Sequence, residues 1–369
     1  MLSVKPREAL KNISPFKTAR SLEAIKKEYG VDKVIKLAGN ETNLGPSPKA
    51  QEAVLRAVGD LYLYPDGQCT ALREKLSRLH NVPPQRLIFG NGSFELLSVI
   101  AHAFLEEGDE AITPVPSFGY YKTATLEMGG VVVPVPLKEY HVDLEGIQKS
   151  LTPRTKIIWL CNPNNPTGTV IGTARLETFL EEIGPQVLVV FDEAYYDYAE
   201  SRDYLDTIQL LNRHNNIICL RTFSKIYGLA SSRIGYGVAQ EELLDILLRT
   251  KLPNNVNRLA QAAALASLDD ADFRQAVLEN NRRGKALYYS RLPQLNLEYI
   301  PTHGNFIMFN TGLPSDYVVD QFVRKGILIR GGDEFGMPSW LRITIGLPAE
   351  NEAVLELIEE LVRKGEPSA

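Results

Sequence analysis

The chain has 369 residues, 44% hydrophobic and 23% charged, a globular composition long enough for two domains or one large α/β body. A net charge of −5 with scattered basic residues offers no surface to a polyanion, so nucleic acid is not an expected partner. The three cysteines, Cys69, Cys161 and Cys219, lie far apart with no CxxC or nearby histidine, which argues against a disulfide framework or a zinc site, and no metal is expected. The first residues lack the apolar stretch of a signal peptide, and no run approaches the ~20 apolar residues of a membrane span. A cytoplasmic protein without a membrane partner is the expectation.

The first 40 or so residues contain Pro6, Pro15 and one helical piece, SLEAIKKEYG (21–30), and read as an arm that packs on another element. From residue 85 the pattern alternates. RLIFG (86–90), EAIT (110–113), KIIWLC (156–161), VLVVFD (187–192), NIICLR (216–221) and RIGYGV (233–238) read as strands. Residues 93–108, 174–184 and 240–250 carry apolar residues at helical spacing between them. This is the signature of βαβ units, and it predicts an α/β fold with a doubly wound, mainly parallel sheet. Beyond residue 250 come two long helical stretches and then the strand candidates NFIMFN (305–310), GILIR (326–330) and LRITIG (341–346), which suggest a smaller α+β domain. The expected division is a large domain over 45–250, with 1–44 and 251–369 forming the arm and small domain.

Several polar segments follow strands and so fall at the carboxyl edge of the sheet, where α/β proteins bind ligands. RTFSKIYGLASSRIGYG (221–237) places Lys225 after a strand and Arg233 at the next one. A nucleophilic lysine needs desolvation or neighbouring positive charge to lower its pKa; a solvated loop lysine is the alternative reading of this segment alone. NPNNPTG (162–168) is a turn able to fix the Asn165 amide, and FDEAYYDY (191–198) places Asp192 at a strand end, though turn formation and helix capping would also account for these residues. GNGSFELL (90–97) is a glycine-rich turn opening a helix at Ser93, whose free N–H groups suit a phosphate; Ser224 and Arg233 are further phosphate donors.

Taken together and in this order, TFSKIYGLASSRIGYG, NPNNPTG and FDEAYY resemble the fold-type I pyridoxal-phosphate aminotransferases, and the likeness is greatest to the histidinol-phosphate aminotransferase family. It also covers KLAGNETNLGPSP (36–48), LYPDGQCTALREKL (63–76), PSFGYY (116–121) and FGMPSWLRITIG (335–346). The resemblance implies an aspartate-aminotransferase-like fold and pyridoxal 5'-phosphate as cofactor. It makes Lys225 the Schiff-base lysine and proton carrier, Asp192 the partner of the pyridine nitrogen, and Asn165 and Tyr195 the partners of the ring hydroxyl oxygen. Ser93, Phe94, Ser224 and Arg233 would hold the phosphate, and Phe118 would stack on the ring. Tyr64 would reach the phosphate of a neighbouring subunit, implying a homodimer with shared active sites. Arg342, Arg330, Asn40 and the Phe16 region would contact a small-molecule amino donor and a 2-oxo acid.

Two positions depart from the family pattern: Phe94 stands where an aspartate is usual and Phe16 where a tyrosine is common. Ser231 and Ser232 add hydroxyls near the phosphate arginine, and His303 reads as a solvated loop histidine. The expected reaction is exchange between histidinol phosphate plus 2-oxoglutarate and imidazole-acetol phosphate plus glutamate, a step of histidine biosynthesis. An aromatic amino-acid aminotransferase is the first alternative. A lyase on the same scaffold, of the threonine-phosphate decarboxylase or amino-acid cyclase type, is the second. A non-catalytic cofactor-binding regulator is least expected, since no helix-turn-helix segment is recognisable.

Overall fold

The computed structural model describes residues 4–15, 21–201, 203–204 and 206–365. In the arm, Ser21 Oγ accepts from the Ala24 N–H at 3.2 Å and starts helix Leu22–Tyr29, and Gly30 ends it in the left-handed region at φ 64°. Strand β1 (Ile35–Lys36) follows. The large body contains β2 (Leu87–Gly90), β3 (Glu110–Val115), β4 (Val131–Pro136), β5 (Thr155–Cys161), β6 (Leu188–Asp192), β7 (Ile217–Thr222) and β8 (Gly235–Ala239). They form one sheet in the order β2-β8-β7-β6-β5-β3-β4. Only β8 runs against its neighbours; the other pairings are parallel.

Alternation along these strands builds two cores. Ile158, Leu160, Val189 and Cys219 point into one, while Ile157, Trp159, Val190 and Ile218 point into the other, so the sheet is buried on both faces. The three cysteines are free and buried. Strand β4 escapes a reading by periodicity because VVVPVP carries Pro134 and Pro136, which remove ladder donors; its position at the sheet edge tolerates them.

The smaller body has β9 (Tyr299–Ile300), β10 (Phe306–Asn310), β11 (Ile327–Leu328), β12 (Arg330–Gly331) and β13 (Trp340–Thr344), with a four-stranded sheet in the order β12-β13-β10-β9. The expected strand 326–330 is thus divided: β11 pairs in parallel with β1, and β12 pairs with β13. Leu37, next to β1, is buried among Ile307, Leu341 and Ile343, which stitches the arm to this body. Helix Arg258–Ser267 instead buries Ala260, Ala263 and Ala264 in a core of the large sheet. We propose on that ground that the boundary between the bodies lies after residue 267 rather than at 250. Among the described residues no helix is long and apolar enough to cross a membrane.

The topology sets the site. Parallel strands β5, β6 and β7 end at Cys161, Asp192 and Thr222, with Cys161 paired to Asp192, so the loops that follow them open at one edge of the sheet.

Candidate active site

Lys225 lies just beyond β7, partly buried, and its Nζ donates to the Gly39 carbonyl at 2.8 Å and stands 5.7 Å from the Tyr195 ring centre. Burial draws its pKa down to about 8; Arg342 and Arg233 act in the same direction, opposed by Glu41 and Asp192. An amine in that range has an appreciable free-base fraction near neutral pH.

Asp192 closes β6 at 5% exposure. The Tyr121 hydroxyl donates to Oδ2 at 2.9 Å, while Oδ1 is buried with no partner. Burial raises the carboxyl pKa to about 6, against the Tyr121 hydrogen bond and the Lys225 charge. Tyr195 follows on the same loop; its hydroxyl accepts from Asn40 Nδ2 at 2.9 Å, and burial pushes its pKa upward. Asn40 is held in the left-handed region at φ 57°, with its N–H bonded to Thr344 Oγ1 at 2.9 Å and its carbonyl to Asn305 Nδ2 at 3.0 Å.

Arg342, in β13, is 6% exposed; Nη1 donates to Asn165 Oδ1 at 2.5 Å and Nη2 to the Ala38 carbonyl at 2.7 Å. Nε is buried without a partner. The guanidinium lies against the Phe306 and Phe335 rings, at 5.6 and 5.5 Å. Arg330 faces Arg342 across the β12–β13 pairing and is engaged by Glu334 at 2.7 Å.

Beside the start of β8, helix Ser93–Phe104 begins after Gly92 with no side chain capping it, so its first N–H groups are open to an anion. Gly92 has φ 79°, and a Cβ there would meet Arg233 Nη2 at 2.3 Å. A Cβ on Gly235 would meet the Ser93 nitrogen at 2.3 Å, which shows how closely β8 approaches this helix. Arg233 does not begin β8, as expected, but precedes it in the left-handed region at φ 58°. Ser224 accepts from Thr222 Oγ1 at 2.9 Å, and Thr222 pairs with Gly235, which brings the hydroxyls beside the helix end.

Phe118 packs edge-on to Tyr121 at 5.5 Å; Phe94 meets Phe118 edge-on at 6.1 Å but stacks on Tyr120 at 3.8 Å. Of the expected site residues, Tyr64 is not brought to the cleft of its own chain: it is 86% exposed, and its carbonyl accepts from Arg258 at 3.0 Å. Phe16 lies outside the described residues. Sequence reasoning missed Tyr121, Gly39 and Glu41. Tyr121 and Glu41 lie inside motifs singled out for other residues, but their partners are distant in the chain. The arrangement as a whole offers an amine, an orphaned buried carboxylate oxygen, an uncapped helix end and a buried guanidinium.

Residues 32–358 match the family model described as aminotransferase class I and II. A histidinol-phosphate aminotransferase of Caldicellulosiruptor saccharolyticus is 42% identical over 356 residues, 96% of this chain and 99% of that one. The crystal structure of histidinol-phosphate aminotransferase from Sinorhizobium meliloti in complex with pyridoxal-5'-phosphate is 27% identical, with a TM-score of 0.90 over 98% of this chain and 99% of that chain. L-threonine-O-3-phosphate decarboxylase from Porphyromonas gingivalis, 22% identical with a TM-score of 0.78 over 89% of this chain and 100% of that chain, shares the fold alone.

Proposed function

Because the chain belongs to the histidinol-phosphate aminotransferase family, within the fold-type I class I and II aminotransferases, we propose that it exchanges an amino group between histidinol phosphate and 2-oxoglutarate with pyridoxal 5'-phosphate as cofactor. The products are imidazole-acetol phosphate and glutamate. The observation that carries this reading is Asp192 Oδ1, a buried carboxylate oxygen without a partner in the cleft that holds Lys225. A pyridine N–H is the donor that such an oxygen lacks.

The residues present fit the cofactor. Asp192, steadied by Tyr121, would hold the ring nitrogen; the N-terminus of helix Ser93–Phe104, with Ser224 and Arg233, would hold the phosphate. Tyr195 and Asn165 would bond the ring oxygen, and Phe118 would cover the ring. When bound, the cofactor supplies an electron sink for the pair left on the substrate carbon as its proton departs.

Lys225 Nζ, free base in part near neutral pH, would take that proton from the substrate carbon and return it at C4′ of the cofactor. Arg342, with Nε unengaged, would clamp the anionic end of either substrate: the phosphate of histidinol phosphate or a carboxylate of glutamate. Arg330 would join it by leaving Glu334, and Asn40 would border the donor. The protein would act as a homodimer, with Tyr64 completing the partner's phosphate site.

Glutamate formation from 2-oxoglutarate with histidinol phosphate, histidinol, phenylalanine and tyrosine as donors tests the reading. Histidinol phosphate should exceed histidinol by about a hundredfold or more in kcat/KM, because losing the phosphate strands the buried Arg342 guanidinium. Turnover of phenylalanine with none of histidinol phosphate would overturn the substrate assignment.

A further inference from the structure

Among the described residues, the buried polar atoms without a hydrogen-bond partner include Asp192 Oδ1, Arg342 Nε and Glu41 Oε2. The first two have ligand partners in the reaction described above. Glu41 Oε2 does not, while Lys36 Nζ donates to the other carboxylate oxygen, Oε1.

Gly39 connects this carboxylate to the reactive amine. A Cβ at Gly39 would lie 2.3 Å from Glu41 Oε2, so the carboxylate rests directly on that residue, whose carbonyl accepts from Lys225 Nζ at 2.8 Å. Asn40 between them is fixed by the Thr344, Asn305 and Tyr195 bonds, so the backbone that carries the carbonyl and the carboxylate is anchored. An ammonium has three donors, of which Gly39 engages one. A buried carboxylate oxygen without a donor is costly, and a nearby ammonium relieves that cost.

We propose that Glu41 and the Gly39 carbonyl form a cradle for the Lys225 ammonium, making Glu41 a positioning residue that governs the charge of this amine whenever it stands free. The charged groups around Lys225 are Glu41 from the arm, Asp192 at the end of β6, Arg342 from β13 and Arg233 before β8. Burial raises the Glu41 carboxyl, but the Lys36 hydrogen bond and the charges of Lys36 and Lys225 outweigh it and hold its pKa below the usual range. It is therefore an anion across the range in which the lysine titrates, and it favours the protonated amine. Gly39 also explains its own identity here, since any side chain would fill the space the carboxylate uses.

The inference rests on reading Lys225 as the amine that takes the cofactor, and two measurements on the apoprotein separate them. One is the pH profile of pyridoxal 5'-phosphate capture, followed by absorbance and fixed by borohydride. The other is the pH profile of Lys225 acetylation by acetic anhydride, read by peptide mass without any cofactor. Glu41→Gln should move both midpoints down by about one pH unit, so that modification at neutral pH is roughly fivefold faster. Lys36→Gln, which removes a cation and frees the carboxylate, should move them up; a merely structural role would not give opposite signs. An acetylation profile unmoved by both substitutions, with circular dichroism intact, overturns the cradle even if the cofactor is captured. Shifted acetylation without any cofactor capture leaves the cradle standing and removes the cofactor reading.

Discussion

Asp192 carries a cost in stability that its proposed place beside the cofactor nitrogen would explain. Its carboxyl pKa is raised to about 6 by burial, above the ordinary aspartate value of roughly 4 that applies when the chain is unfolded. The native state therefore binds the proton more tightly, and stability falls as pH rises between these two values and stays low above them. Asp192→Asn should remove this penalty. The apoprotein of the variant should be more stable than wild type by about 3 kcal/mol at neutral pH, with the difference shrinking towards zero below about pH 4, while its cofactor affinity drops. Urea denaturation of both apoproteins across that pH range checks the claim, and a pH-independent difference would contradict it. The placement of Lys225, Asp192 and Asn165 at one edge of the sheet was legible in the sequence, because strand ends and turn chemistry single them out. Tyr121 was not, since its role depends on a hydroxyl meeting a carboxylate 71 positions away. Glu41 and Gly39 stayed hidden for the same reason: Gly39 meets Lys225 across 186 positions.

At the scale of an element, the start of helix Ser93–Phe104 depends on Gly92 being bare. Its φ of 79° disfavours any side chain, and a Cβ would press on Arg233 Nη2. Gly108 provides a control, with φ 88° and nothing within 4 Å of an added Cβ. Both Gly92→Ala and Gly108→Ala should lose about 1–2 kcal/mol of stability from backbone strain. Only Gly92→Ala should also weaken cofactor binding, by tenfold or more, because Arg233 must leave its place beside the helix end. Fluorescence titration of each apoprotein with pyridoxal 5'-phosphate distinguishes them, and equal affinities would refute the placement of Arg233. Of the elements, the central strands were readable as apolar runs buried on both faces. Strand β4 was concealed by its prolines, and the split of 326–330 between two partners was concealed because pairing is a property of neighbours, not of the segment.

At the scale of the whole molecule, exposed apolar side chains gather in one stretch of the chain: Leu55 is 75% exposed, Leu61 57%, Tyr62 82% and Tyr64 86%. Such a surface on a chain of this size calls for a partner, and a second copy with Tyr64 entering its cleft is the arrangement we propose. Sedimentation should give twice the 41.1 kDa chain mass. Mixed Tyr64→Ala and Lys225→Ala proteins, each inactive or nearly so, should regain up to about a quarter of wild-type activity through hybrids with one intact site. A fully active monomer would dismiss the shared site. The path of the arm has a further mechanical consequence. Asn40 is fastened to Thr344 and Asn305 of the smaller body and to Tyr195 of the larger, while its neighbour Gly39 holds Lys225. The segment is therefore a strap across a joint: any rotation of one body against the other must stretch one of these fastenings, and the grip on the lysine tightens or slackens with the angle of the joint.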